Sequence, residues 1–125
     1  MYRIMVEDKF DGAHRLVGYP GKCAELHGHT WKVQLFIAGV KLNEIQILID
    51  FHEVKTILRQ VIEELDHKYL NELNDFKEIN PTCEVLAKYI YCKIADRLPP
   101  TVKLEKVRIW ESLNTFAEYE PEPEV

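Results

Sequence analysis

Two histidines one residue apart, His27-Gly28-His29, are the first place where this sequence could do chemistry. Alternate side chains of a β-strand share a face, so the two imidazoles would stand side by side with Gly28 turned the other way. His14, at the end of the inward face of an earlier alternating segment, could supply a third nitrogen. Three neutral imidazoles with no fourth protein ligand describe a catalytic zinc site that keeps an open position, where the ion can polarise a substrate oxygen. A bland alternative is a chance pair on a buried strand, since histidine is often merely structural.

Other reactive side chains lie close by in the chain. Cys23 precedes His27 by four residues, near enough for its sulfur to face a metal pocket, where a dication and an imidazole favour the thiolate, which can act as a base. Its plain reading is an inert loop residue. Glu25 sits between Cys23 and the histidines, giving C-x-E-x-H-G-H, and is either a second base or a solvated loop acid. Asp66-His67 closes a helical segment as a carboxylate-oriented imidazole suited to acid–base work, or as a histidine that only complements the helix dipole. Glu111 is an acid on the inward parity of a late strand, and a buried carboxylate needs a partner such as the edge of a ligand.

Strands and helices must position these groups. Residues 2–10 alternate, with Tyr2, Ile4, Val6 and Phe10 on the inward parity, and His27 to Ile37 alternates again with both histidines on the apolar face. Gly18, Pro20 and Gly21 mark a connecting loop that carries Cys23. A short third strand is expected at Ile45 to Ile49. Asp50 with Glu53 matches a capping box before Phe51, Val54, Ile57, Leu58, Val61, Ile62 and Leu65, which recur at helical spacing. Thr82 caps a second helix bearing Val85, Leu86, Tyr89, Ile90 and Ile94, with Cys83 and Cys92 as packing residues, and Pro99-Pro100 stops it. Val107, Ile109 and Glu111 share a strand, and a last strand runs near Thr115 to Tyr119. The reading is one α+β domain over residues 1–125, an antiparallel sheet faced by two helices, with about 120–125 as a frayed acidic tail.

Composition narrows the function. The chain has 125 residues, and 16 Lys plus Arg against 21 Asp plus Glu leave a net charge of −5. General attraction to nucleic acid or to an anionic membrane is not expected, so an anionic substrate must be held by a local cationic site; Arg15 and Lys22 are among the cations near the loops. No apolar run approaches the roughly 20 residues of a membrane span. Three cysteines at unrelated spacings fit reduced thiols, and a cytoplasmic protein is expected.

The motifs FDGAHRL, CAELHGH, LIDFHEVK, LDHKYLN, PTCEVLAKYI and a late strand ending in WES follow one another in an order that resembles the 6-pyruvoyl-tetrahydropterin synthase family, most closely its 6-carboxy-tetrahydropterin synthase branch. The resemblance covers nearly the whole chain. It implies a T-fold subunit with a four-stranded antiparallel sheet and two helices on one face, joined around a threefold and stacked into a homo-hexamer with active sites at subunit interfaces. It further implies zinc held by His14, His27 and His29, Cys23 as the proton-abstracting thiolate, Asp66 with His67 as a relay, and Glu111 as the anchor of the pterin ring, helped by Thr82. The implied substrate is 7,8-dihydroneopterin triphosphate. The implied product is 6-carboxy-5,6,7,8-tetrahydropterin, with loss of acetaldehyde and triphosphate, on the route to queuosine. The Cys23-to-His27 spacing resembles the carboxy-synthase loop. Relatives that use a loop glutamate to make 6-hydroxymethyl-7,8-dihydropterin keep a folate-type or bifunctional reading open through Glu25. The 6-pyruvoyl product, and a non-catalytic pterin-binding assembly protein, are the remaining alternatives.

Overall fold

The computed structural model describes residues 1–21 and 24–123. Lys22 and Cys23 lie outside the described residues, as do the last two residues of the acidic tail. Strand β1 (Tyr2–His14) pairs antiparallel with β2 (His27–Gly39), β2 with β4 (Lys103–Ser112), and β4 with β5 (Thr115–Tyr119). A two-residue strand, β3 (Lys68–Tyr69), adds to the outer edge of β1 in parallel, so the sheet has five strands in the order β3-β1-β2-β4-β5 instead of four. Helices α1 (Phe51–Glu63) and α2 (Cys83–Ala95) supply the other layer.

Alternation decides which sheet face the helices cover. Val6 and Phe10 of β1, Trp31, Val33, Leu35 and Ile37 of β2, and Val107 and Ile109 of β4 are buried against Val54, Leu58, Val61 and Ile62 of α1 and Leu86, Ile90 and Ile94 of α2. Tyr2, on the same parity as Val6, lies beyond this layer and is half exposed. The Asp50 carboxylate caps α1 by accepting from the His52 amide, and Thr82 caps α2 by accepting from the Val85 amide. Each cap satisfies an amide that the first turn leaves unpaired, typically worth about 1 kcal/mol.

Three expectations from the sequence are corrected. Ile45 to Ile49 is not a strand: the Asn43 carboxamide oxygen accepts from the amides of Ile45 and Ile47, and Gln46 turns at φ 68°, so a side-chain-templated turn replaces a ladder. Helix α2 ends at Ala95, with Asp96 as its C-cap, ahead of Pro99-Pro100. Cys83 packs in the core as expected, but Cys92 is exposed. No helix among the described residues is long and apolar enough to cross a membrane.

Candidate metal centre and its surroundings

Register brings the histidines together. His14 lies directly opposite His27 across the β1–β2 ladder, and Gly12 lies opposite His29. His14, His27 and His29 therefore project from one patch of the helix-covered face, with Trp31 one step deeper. The absence of a side chain at Gly12 keeps this patch open: a Cβ there would stand 3.2 Å from the Phe10 ring and 3.5 Å from Trp31 Nε1. The Trp31 indole instead donates to Gly12 O at 3.1 Å and sets its ring edge-on to both His14 and His29.

Backbone carbonyls fix the tautomers. His14 Nδ1 is 2.7 Å from Pro81 O, and His27 Nδ1 is 2.7 Å from Glu25 O. A carbonyl can only accept, so in each ring Nδ1 carries the proton and the neutral ring presents a bare Nε2 lone pair. Those two Nε2 atoms face each other at 3.0 Å. Two lone pairs aimed at one point without a proton between them repel, and a shared cation removes the repulsion. Burial pushes the His14 and His29 pKa values below the ordinary histidine value, which keeps both rings neutral and ready to ligate. His29 Nε2 is buried without a hydrogen-bond partner; Glu111 Oε1 lies 3.2 Å away but not in hydrogen-bonding alignment. His14, His27, His29 and Glu111 thus place four donor atoms within 4.8 Å of one another. They can hold a metal ion, and the Glu111 carboxylate is a fourth donor that the sequence reading assigned only to a ligand edge.

Glu111 also borders a second space. With Cys83, Glu84, Thr115, Phe116 and Ala117 it lines a cavity of about 260 Å³. The Cys83 thiol donates to Ile109 O at 3.0 Å, and burial pushes its pKa up to about 11, so it stays a neutral wall of this cavity. Thr82 does not line it; its hydroxyl oxygen is engaged in capping α2.

Asp66 and His67 form a separate group with Asp11. Asp66 Oδ1 accepts from the Asp11 amide at 3.0 Å and lies 3.0 Å from His67 Nδ1, with the Arg59 guanidinium 3.7 Å from its other oxygen. The Asp11 amide is the chief reason that the Asp66 carboxyl titrates below its ordinary range, with His67 and Arg59 adding to it. His67 takes a left-handed backbone conformation, φ 59°, tied by its amide to Asp11 O, and its side chain is 77% exposed. With Asp11, Gly28, His29, Thr30 and Tyr69 it borders an open cavity of about 560 Å³. Glu25 is exposed and reaches the site through its carbonyl. Cys23 lies outside the described residues.

The arrangement defines an α+β domain that carries a histidine-rich cluster able to hold a metal ion beside an oriented Asp–His pair. The family model described as 6-pyruvoyl tetrahydropterin synthase matches residues 3–122, and the chain belongs to that family. Among relatives, the 6-carboxy-5,6,7,8-tetrahydropterin synthase of Aquifex aeolicus is 32% identical over 81% of this chain and 77% of its own. The dihydroneopterin monophosphate aldolase of Pyrococcus furiosus is 36% identical over 87% of this chain and 89% of its own. The structure of Caenorhabditis elegans 6-pyruvoyl tetrahydropterin synthase superposes with a TM-score of 0.87 at 24% identity, covering 97% of this chain and 96% of that one, which establishes the T-fold.

Proposed function

We propose that the chain is a zinc-dependent lyase that converts 7,8-dihydroneopterin triphosphate and water to 6-carboxy-5,6,7,8-tetrahydropterin, acetaldehyde and triphosphate, in the cytoplasmic route to queuosine. The observation that carries this reading is the convergence of His14 Nε2 and His27 Nε2 at 3.0 Å with both Nδ1 atoms committed to carbonyls. Zinc bound by imidazoles at about 2.0–2.1 Å sets neighbouring nitrogens roughly 3.3 Å apart in a tetrahedron, close to this spacing. Imidazoles also suit zinc better than the hard cations.

When bound, zinc supplies a Lewis acid that makes protons on the substrate side chain easier to remove. The chain's own groups would do the rest. His14, His27 and His29 hold the ion; Cys23, on the segment that joins two of these ligands, is the proposed base. Asp66 holds His67 by Nδ1 at 3.0 Å, leaving the other ring nitrogen to pass a proton. Glu111, at the rim of the 260 Å³ cavity beside Cys83, is the proposed anchor for the amino edge of the pterin ring. We assign the assembly to a homo-hexamer of two trimers. The exposure of His67, apart from the metal donors, is the feature that favours an active site completed between subunits.

A second reading has its own support. The aldolase relative is 36% identical, and Glu25 stands exposed within the segment that ends on His27. A carboxylate base there would favour carbon–carbon cleavage to 6-hydroxymethyl-7,8-dihydropterin. Incubation of the zinc-loaded protein with 7,8-dihydroneopterin triphosphate, with products identified by mass spectrometry and acetaldehyde assayed in parallel, separates the readings. Carboxy-tetrahydropterin with equimolar acetaldehyde is expected. Hydroxymethyl-dihydropterin that disappears in Glu25→Ala supports the second reading; pyruvoyl-tetrahydropterin moves the chain to the other branch; and bound but unchanged pterin makes it an assembly protein.

A further inference from the structure

Past His14 the chain leaves the sheet, and two of the residues that follow, Arg15 and Val17, each have both backbone N–H and C=O held by a side-chain amide. Asn71 Oδ1 accepts from the Arg15 amide at 2.9 Å while Asn71 Nδ2 donates to Arg15 O at 3.0 Å. Asn80 repeats the pattern on Val17, with its Oδ1 accepting from the amide and its Nδ2 donating to the carbonyl, both at 2.9 Å. An asparagine side chain carries the donor and acceptor of a peptide group, so each stands where a neighbouring strand would. The clamped residues alternate, as an extended chain requires.

These clamps complete a run. Gly12 and Ala13 pair with Lys68 and Tyr69 of β3; His14 Nδ1 then donates to Pro81 O, and Arg15 and Val17 follow onto Asn71 and Asn80. Pro81, which orients the His14 ring, is the immediate neighbour of Asn80. The clamped run ends at Gly18, whose φ of 85° turns the chain into the segment that returns to the sheet at His27. One candidate metal donor therefore stands at the root of this segment and another at its end, and the root is fixed by two asparagines that are not themselves among the candidate donors.

We propose that Asn71 and Asn80 are positioning residues of the metal centre: they extend the register of β1 beyond His14, hold its ring against Pro81 O, and set where the segment between His14 and His27 leaves the sheet. This inference rests on the metal-binding part of the proposed function and not on the identity of the product.

Asn71→Leu and Asn80→Leu test it. Leucine keeps roughly the size of asparagine but carries neither the donor nor the acceptor of the clamp. Each single variant keeps the other clamp, so the test does not depend on a double variant folding. Tyr91→Phe, which removes a hydrogen bond from Tyr91 to Leu104 O far along the sheet, serves as a stability control. Cobalt(II) and zinc titrations should show each asparagine variant binding about tenfold more weakly than the parent, in the range found for outer-shell partners of metal ligands. The ligand-field spectrum of the cobalt protein should change, and amide exchange at Arg15 and Val17 should accelerate. If the parent turns over dihydroneopterin triphosphate, kcat should fall with little change in KM. The Tyr91→Phe variant should lose thermal stability and keep the parental affinity and spectrum. Parental metal affinity and cobalt spectrum in both asparagine variants, with the Arg15 and Val17 amides exchanging freely, overturn the proposal. A parent that binds cobalt yet leaves the pterin unchanged defeats the proposed reaction instead, and the clamps are then judged on spectrum and exchange alone.

Discussion

The two side-chain clusters of this chain differ in how firmly the fold holds them. The histidine centre is built at the end of the β1–β2 ladder, where the hairpin opens into its loop; His14 is 1% exposed and its ring is tethered by a carbonyl. The Asp11–Asp66–His67 group sits where α1 ends, with His67 77% exposed in a left-handed conformation over an open cavity. Strand register brings the imidazoles of the first together. The second has its carboxylate engaged by the Asp11 amide and its imidazole open to solvent. The proposed metal binding and the proposed proton transfer therefore fall on separate groups, and mutations can prise them apart.

The sharpest break should come at the metal centre. His14→Ala removes one of three converging imidazoles, and zinc affinity measured by competition with a chromophoric chelator should fall by more than the roughly 10–100-fold typical of outer-shell changes. Retention of full affinity would show that His14 is not a ligand. Next in size is Asp66→Ala, which frees both the Asp11 amide and the His67 ring. Turnover should drop about a hundredfold, the lower end of a general acid–base contribution, while zinc content stays at the parental level. Loss of zinc in that variant would merge the two groups that the structure keeps apart.

A smaller effect should follow pH. His14 and His29 titrate below the ordinary histidine value of 6.5 in the folded chain because burial disfavours their charged forms. The unfolded chain then binds protons more readily, so this part of the metal-free protein's stability is fully present above about pH 6.5 and is lost as pH falls toward the lowered folded values. The Tm of zinc-free protein should decline between pH 7 and pH 5, and less steeply in a His14→Phe, His29→Phe double variant. An identical slope in parent and variant would remove these two rings as the cause. The mildest change is Trp31→Phe, which loses the indole bond to Gly12 O and should cost about 1 kcal/mol of stability, read from urea unfolding, with zinc affinity changing only severalfold.

Much of this site was legible because it lies on regular elements. Alternation in β2 put His27 and His29 on the apolar face, and parity placed Glu111 inward on β4. The caps at Asp50 and Thr82 followed from local hydrogen-bonding rules. The Ile45–Ile49 misreading has the same root: a short apolar run looks like a strand, and only the Asn43 side chain decides against it.

The sequence by itself determined the types of the long strands and both helices, the shared face of the histidine pair and the family to which the motifs belong, since period and motif order are written in neighbouring residues. Tertiary structure alone decided that His14 sits directly across from His27, that Glu111 joins them, that Pro81 and Glu25 lend carbonyls, and that Asn71 and Asn80 clamp the chain beyond. Backbone carbonyls carry no residue-type signature, and register between strands and loops far apart in the chain is settled by packing, so none of these contacts could be read along the chain.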